Sequence, residues 1–255
     1  MDYLYDGSFE GVLCCIYAHY YGEKAEGIFE KSCYQQNMLR QFRMVETDGD
    51  KAARVYDAIR GKISFDALRR VYAVYLCTEP EKEMKILRYV ELGFRMGAKV
   101  DLMHADPVVF DAQQAEKKVY AERHRYLGIL RFSVIRAGGA GMGAGNPAEV
   151  LYARLEPDND VVELMAPHFA DRYKNDPFIL HDLRREKAVF SQGGHWYVAV
   201  LPKDAPVDLA QGEREYRKLW KQYFETIAIR ERINPRCQKQ YMPVRYWKHL
   251  TEMFG

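Results

Sequence analysis

The spacing of apolar residues divides the chain into a helical first part and a second part in which strands alternate with helices. Phe9, Leu13, Ile16, Tyr17 and Tyr20 recur on one helical face; Asp6-Gly7-Ser8 before them reads as turn and N-cap, and Gly22 as the stop. A short strand over Tyr3–Tyr5 precedes this helix. The same period returns with Val55 and Ile59, with Leu68, Val71, Tyr72 and Tyr75, and with Met84, Leu87, Val90 and Phe94, so helices are expected over 51–60, 64–77 and 81–96. Residues 1–105 are therefore read as a helical N-terminal region.

Asp106-Pro107 is a strong helix start, because Asp accepts from free first-turn amides and Pro suits the first helical position. That helix should run to about Tyr126 and bury Val108, Ala112, Ala115, Val119 and Tyr126. From Gly128 the pattern changes to strands over 129–135 and 150–155, a helix over 161–173, and a meander over 178–183, 187–191 and 196–201, with helices again from Glu213. Residues 106–255 are thus expected to form an α+β domain with an antiparallel sheet and flanking helices.

In the C-terminal segment 219–250, seven Lys/Arg stand against two Glu beside six aromatics, a composition that grips phosphates and stacks on bases. Trp220, Tyr223, Phe224 and Ile227 fall on one helical face, which predicts a core stripe for its first half. Asn234-Pro235 is expected to break that helix, and Arg236, Lys239, Arg245 and Lys248 follow without an acidic neighbour until Glu252.

The chain has 255 residues, 48% of them apolar, so a packed core is available; a net charge of only +2 means that any nucleic-acid footprint must come from local segregation of charge. No apolar run approaches the roughly 20 residues of a membrane span, and the N-terminus lacks the regions of a signal peptide, so a cytoplasmic protein with no membrane partner is expected. Cys14, Cys15, Cys33, Cys77 and Cys237 are scattered without a C-x-x-C and read as reduced thiols.

Local motifs for chemistry are few. The glycine-rich run 138–145 joins two expected strands and lacks a following Lys-Ser/Thr, so it reads as a hairpin loop and not a phosphate loop. Asp101, His104 and Asp106 match no established ligand spacing, and neither a metal nor another cofactor is expected. His168 and Arg172 lie four apart on a helix and could meet a phosphate together.

At 122–132, Tyr152-Ala-Arg-Leu-Glu-Pro-Asp158, Ala166-Pro-His-Phe-Ala-Asp-Arg-Tyr173 and Met242-Pro-Val-Arg-Tyr-Trp-Lys248, with Tyr5-Asp-Gly-Ser-Phe9 and Asp106-Pro107, the chain resembles a bacterial family of uncharacterised proteins labelled as DNA metabolism proteins. The resemblance implies an accessory role in DNA repair or modification beside a radical SAM protein, and the portion corresponding to 85–250 also occurs fused to a uracil-DNA glycosylase-like domain. With no C-x-x-x-C-x-x-C in this chain, radical chemistry would belong to the partner.

The reading that follows is a DNA-binding accessory protein contacting nucleic acid through Arg123, Arg125, Arg131, His168, Arg172, Arg245, Trp247 and Lys248, which should then line one groove. Two rivals stand beside it. An enzyme acting on nucleic acid would need a pocket holding His168 or His124 beside Glu122 or Asp171. A protein-interaction scaffold would hold its basic residues in salt bridges.

Overall fold

The N-cap chemistry read at Ser8 is present in the computed structural model, which describes residues 1–36, 40–137, 148–227, 229 and 234–253. The Ser8 hydroxyl accepts from the Gly11 amide at 2.9 Å and opens α1, Phe9–Tyr21, satisfying a first-turn donor that the helix itself cannot. Asp48 and Ser64 do the same for α2 (Gly49–Lys62) and α3 (Phe65–Leu76). The next helix, α4 (Lys82–Met96), ends at Gly97, whose φ of 62° suits a residue without a Cβ.

The chain divides into two compact units, Met1–Tyr120 and Ala121–Gly255, and the boundary falls within α5, Pro107–Ile129. The first unit combines the helices with a parallel sheet of order β2-β1-β3, made by β1 (Asp2–Tyr5), β2 (Gly27–Glu30) and β3 (Phe42–Met44). Every residue of β1 is buried, as befits the central strand of a covered parallel sheet. The expectation of helices up to residue 96 is met, but β2 and β3 were not anticipated. Strands of four and three residues are too short to display a period, and parallel pairing is a non-local event.

At α5 the Asp106 carboxylate accepts from the Val108 amide at 2.9 Å, which confirms the expected start. The helix continues through Ile129, so the next strand, β4, begins at Ser133 and not at Ile129, ending at Ala137. The second unit then builds β5 (Ala148–Leu155), α6 (Val162–Arg172), β6 (Phe178–Asp182), β7 (Lys187–Gln192) and β8 (His195–Val200) into one sheet of order β4-β5-β6-β7-β8. The α+β class stands, with one correction: β5 and β6 pair in parallel, and the other three pairs are antiparallel. The connection through α6 is long enough to return the chain in the same direction, which a tight turn cannot do. The glycine-rich run 138–145 lies outside the described residues.

Alternation along the strands gives the sheet two distinct faces. One carries Ala153, Leu155, Phe178, Leu180 and Val189 and is covered by Val162, Met165, Ala166, Phe169 and Ala170 of α6. The other carries Ser133, Tyr152 and Arg154, with Ile135 and Val150 beside them. Segment 208–210 bonds along the open edge of β4, through Arg136 N to Asp208 O at 2.8 Å and Ala210 N to Val134 O at 2.9 Å, and so closes an edge that would otherwise be free.

Helix α7, Glu213–Ile227, departs from expectation. Only Glu213 is buried in it, whereas Trp220 is 39% exposed, Tyr223 54% and Ile227 54%. The stripe is real as a sequence pattern, but among the described residues it is not a core face. Asn234-Pro235 begins a helix here instead of merely ending one: Asn234 caps α8, Pro235–Tyr241, through the Cys237 amide at 3.0 Å.

Candidate functional site

In the second unit the sheet face opposite α6 forms the floor of a cavity of about 480 Å³. Ser133, Tyr152 and Arg154 rise from β4 and β5, Val207 and Leu209 from the segment before α7, and Arg217, Lys218 and Lys221 from α7 itself. Arg131, Lys248, His249 and Thr251 complete the lining. Six Lys/Arg side chains and one His line it, and no carboxylate does.

The carboxylates stand behind this wall and fix its geometry. Glu252 accepts from Arg131 Nη2 at 2.6 Å and from the Trp220 indole at 3.0 Å. Burial pushes the Glu252 carboxyl up, but the Arg131 hydrogen bond and the other donors outweigh it and hold the group below the usual range. Glu213, 6% exposed, accepts from the Val134 amide at 3.0 Å and from Arg217 Nε at 3.1 Å, which ties α7 to β4; Arg217 Nη2 then reaches the Ser133 hydroxyl at 2.6 Å. Glu156 pairs with Lys248 and lies 3.3 Å from His249 Nε2. Its carboxyl is raised by burial and lowered more strongly by the Lys248 hydrogen bond and the two cationic neighbours. Arg154 has no carboxylate within salt-bridge distance among the described residues, and its guanidinium lies over the Tyr152 ring at 5.5 Å. Arg131 and Lys248 of the sequence-predicted set are thus brought together, and Arg154, Arg217, Lys218 and Lys221 join them.

Tyr152 turns its hydroxyl away from solvent, to His181 Nδ1 at 2.6 Å. The other ring nitrogen of His181 meets the Leu201 carbonyl at 2.9 Å. A carbonyl only accepts, so Nε2 carries a proton, and in the neutral ring Nδ1 accepts from the tyrosine. Burial lowers the His181 pKa in the same sense, as it does for His19 and His249. The unfolded chain therefore takes up protons below about pH 6.5 that the folded chain resists. Stability contributed by these histidines is complete above that pH and is lost as pH falls toward their folded values, so thermal midpoints measured from pH 8 to pH 5 should begin to drop near pH 6.5. A midpoint that is flat or rising on acidification across that window would contradict the assignment.

The remaining predicted residues do not share the cavity. Arg123 donates to the Leu164 carbonyl of α6 at 2.8 Å and is structural. His168 and Arg172 are exposed on α6, the helix that covers the other face of the sheet; His168 meets Phe169 edge-on and Arg172 lies over Tyr173. Arg125 is half-buried and does not line the cavity. Arg245 bonds Asp158 at 2.8 Å and the Tyr246 hydroxyl at 3.0 Å, and Trp247 donates to the Met242 carbonyl at 2.9 Å. The single groove expected for these residues is therefore not formed. The cavity gathers 131, 154 and 248 on the face of the sheet that Arg154 occupies, whereas 168 and 172 ride α6 on the other.

The histidine and carboxylate pair sought for an enzyme is also arranged differently. His124 and His168 are exposed, Asp171 pairs with Lys174 at 3.0 Å, and Glu122 is a buried structural acceptor. Glu122 receives the Asp158 amide at 2.9 Å, the Asn159 amide at 2.8 Å, Asn159 Nδ2 at 2.7 Å and the Tyr246 hydroxyl at 2.9 Å. Tyr246 is 2% exposed, and burial next to Glu122 pushes its hydroxyl up to about 12. Tyr246, and not Trp247, is what anchors the C-terminal motif in the core. Among the described residues no group of three or more His, Cys, Asp or Glu is placed to hold a metal ion, and no helix is long and apolar enough to cross a membrane.

Residues 80–252 match the model of a family described as Domain of unknown function, DUF4130. The chain belongs to that family. The DUF4130 span contains every residue that lines the cavity and the whole of the Glu122 hub, together with α4 and α5. No curated protein and no solved structure matches the chain.

Proposed function

We propose that this DUF4130 protein is a DNA-metabolism accessory protein of the cytoplasm that binds nucleic acid through the cationic cavity of its second unit and works beside a radical SAM enzyme. One observation carries the nucleic-acid part: six Lys/Arg converge on a cavity whose lining includes no carboxylate, in a chain whose overall charge is only +2. Such local segregation attracts polyanions without depending on net charge. The DNA and radical SAM assignments draw their support from the family resemblance of the C-terminal and 152–173 motifs.

Fluorescence anisotropy with labelled DNA at several salt concentrations tests this reading. Each phosphate neutralised releases counterions, so log K should fall linearly with log salt, by about 0.7 per contact for a single strand and about 0.9 for a duplex. Three or four contacts give a slope near −3. Binding that is absent or insensitive to salt would count against the proposal. A protein-contact role has its own observation in the outer stripe of α7, where Tyr216 is 72% exposed and Leu219 61%; co-purification with the radical SAM protein after nuclease treatment, without DNA affinity, would favour it.

A further inference from the structure

The cavity has a chemistry more specific than a positive surface. Its volume, about 480 Å³, is that of a site for one small molecule and cannot admit a paired duplex. Its walls are of two kinds. Tyr152, Val207 and Leu209 give an apolar part, and the Arg154 guanidinium lies over the Tyr152 ring, 5.5 Å from its centroid. Tyr152 itself is 5% exposed and belongs to a core cluster with Ile135 and Val150, so the flat group that the cavity presents is the exposed Arg154 guanidinium and not the tyrosine ring. The rest of the lining is cationic, with Arg131, Arg217 and Lys248 each held in place by a carboxylate that does not itself line the cavity.

We infer, building on the nucleic-acid reading above, that the cavity receives one unpaired nucleotide, with its base and sugar against Leu209, Val207 and the Arg154 guanidinium and its phosphate on the remaining cations. Bases stack on aromatic rings and on guanidinium planes alike, and only an unpaired base exposes its face for this. Glu156, Glu213, Glu215 and Glu252 pair with Lys248, Arg217, Lys218 and Arg131 without lining the cavity, so the charged groups that line it are cations, as a phosphate requires. Leu209 lines the cavity and is 37% exposed, so a larger side chain there would fill the space without belonging to the buried core.

Competition against a labelled single-stranded oligonucleotide tests this on the full chain, with dTMP, thymidine, inorganic phosphate and a blunt hairpin duplex as competitors. The expected result is that dTMP competes at least about tenfold better than thymidine or phosphate, and the single strand better than the duplex by a similar factor. Leu209→Trp and, independently, Arg154→Gln should each weaken dTMP by about tenfold or more, with circular dichroism confirming the fold. If dTMP competes no better than phosphate, or Leu209→Trp leaves it unchanged, the nucleotide pocket is overturned, while salt-sensitive DNA binding would still uphold the broader reading. If dTMP binds in a Leu209-dependent way but no DNA does, the pocket stands as a site for free nucleotides and the DNA-binding function falls.

Discussion

Replacing Glu122 by alanine should destabilise the protein by about 3–5 kcal/mol, because several buried donors lose their acceptor at once. Glu122 is 2% exposed and accepts four hydrogen bonds, from Asp158 N, Asn159 N, Asn159 Nδ2 and the Tyr246 hydroxyl. Alanine would strand those donors in a dry site, at about 1–3 kcal/mol for each one left unsatisfied, with partial relief where water can enter. Asn159 is itself 8% exposed and Tyr246 2%, so little relief is available to them. Tyr246→Phe removes two bonds, to Glu122 and from Arg245, but leaves the other three donors to Glu122 in place, and should cost about 2 kcal/mol. Urea midpoints of the two variants decide the matter. Equal, small shifts for both would show that the hub contributes little. The hub also links α5 to the turn at 158–159 and to the 3₁₀ turn Val244–His249, so its loss should loosen Lys248 and His249 and weaken DNA binding as a secondary effect.

Reversing two cavity charges, Arg154→Glu with Lys218→Glu, should lower the slope of log K against log salt by about 2 and weaken DNA binding about a hundredfold near 0.1 M salt. At that concentration each phosphate contact accounts for roughly a factor of ten through counterion release. These positions separate binding from folding. Arg154 is exposed and has no carboxylate partner within salt-bridge distance among the described residues. Lys218 has a side chain 73% exposed, and its pairing with Glu215 is a surface contact of small value. The thermal midpoint should therefore stay close to that of the parent chain. An unchanged salt slope in a folded double variant would remove the cavity from the DNA-binding surface.

How far the sequence could be read depended on the range of the forces involved. Ser8 and Asp106 act within a single turn, so their caps are visible as residue types at fixed offsets, and both are made in the structure, as are those of Asp48 and Ser64, which the sequence reading passed over. The strands over 150–155, 178–183, 187–191 and 196–201 were legible for the same local reason. The parallel pairing of β5 with β6, and of β1 with β2 and β3, was not, because parallel partners are brought together across a long connection. Helix α7 shows the complementary failure. Periodicity at Trp220, Tyr223, Phe224 and Ile227 establishes that one face is apolar, but burial requires a covering element, and the sequence of one helix does not specify one.

By itself the sequence determined the α+β class, most of the element boundaries and the abundance of basic and aromatic side chains near the C-terminus, because caps, periods and composition are local properties. Only the tertiary structure decided which of those bases act together. Arg131, Arg154, Arg217, Lys221 and Lys248 are separated by up to more than a hundred residues and meet through the β4–β5 register, the α7 anchor at Glu213 and the Glu122 hub, while His168 and Arg172, closer in sequence to Arg154, ride a helix on the other face of the sheet. Strand alternation sends neighbours to opposite faces and long-range pairing sets which distant residues share one, so the composition of a face is written in contacts that no local stretch of chain contains.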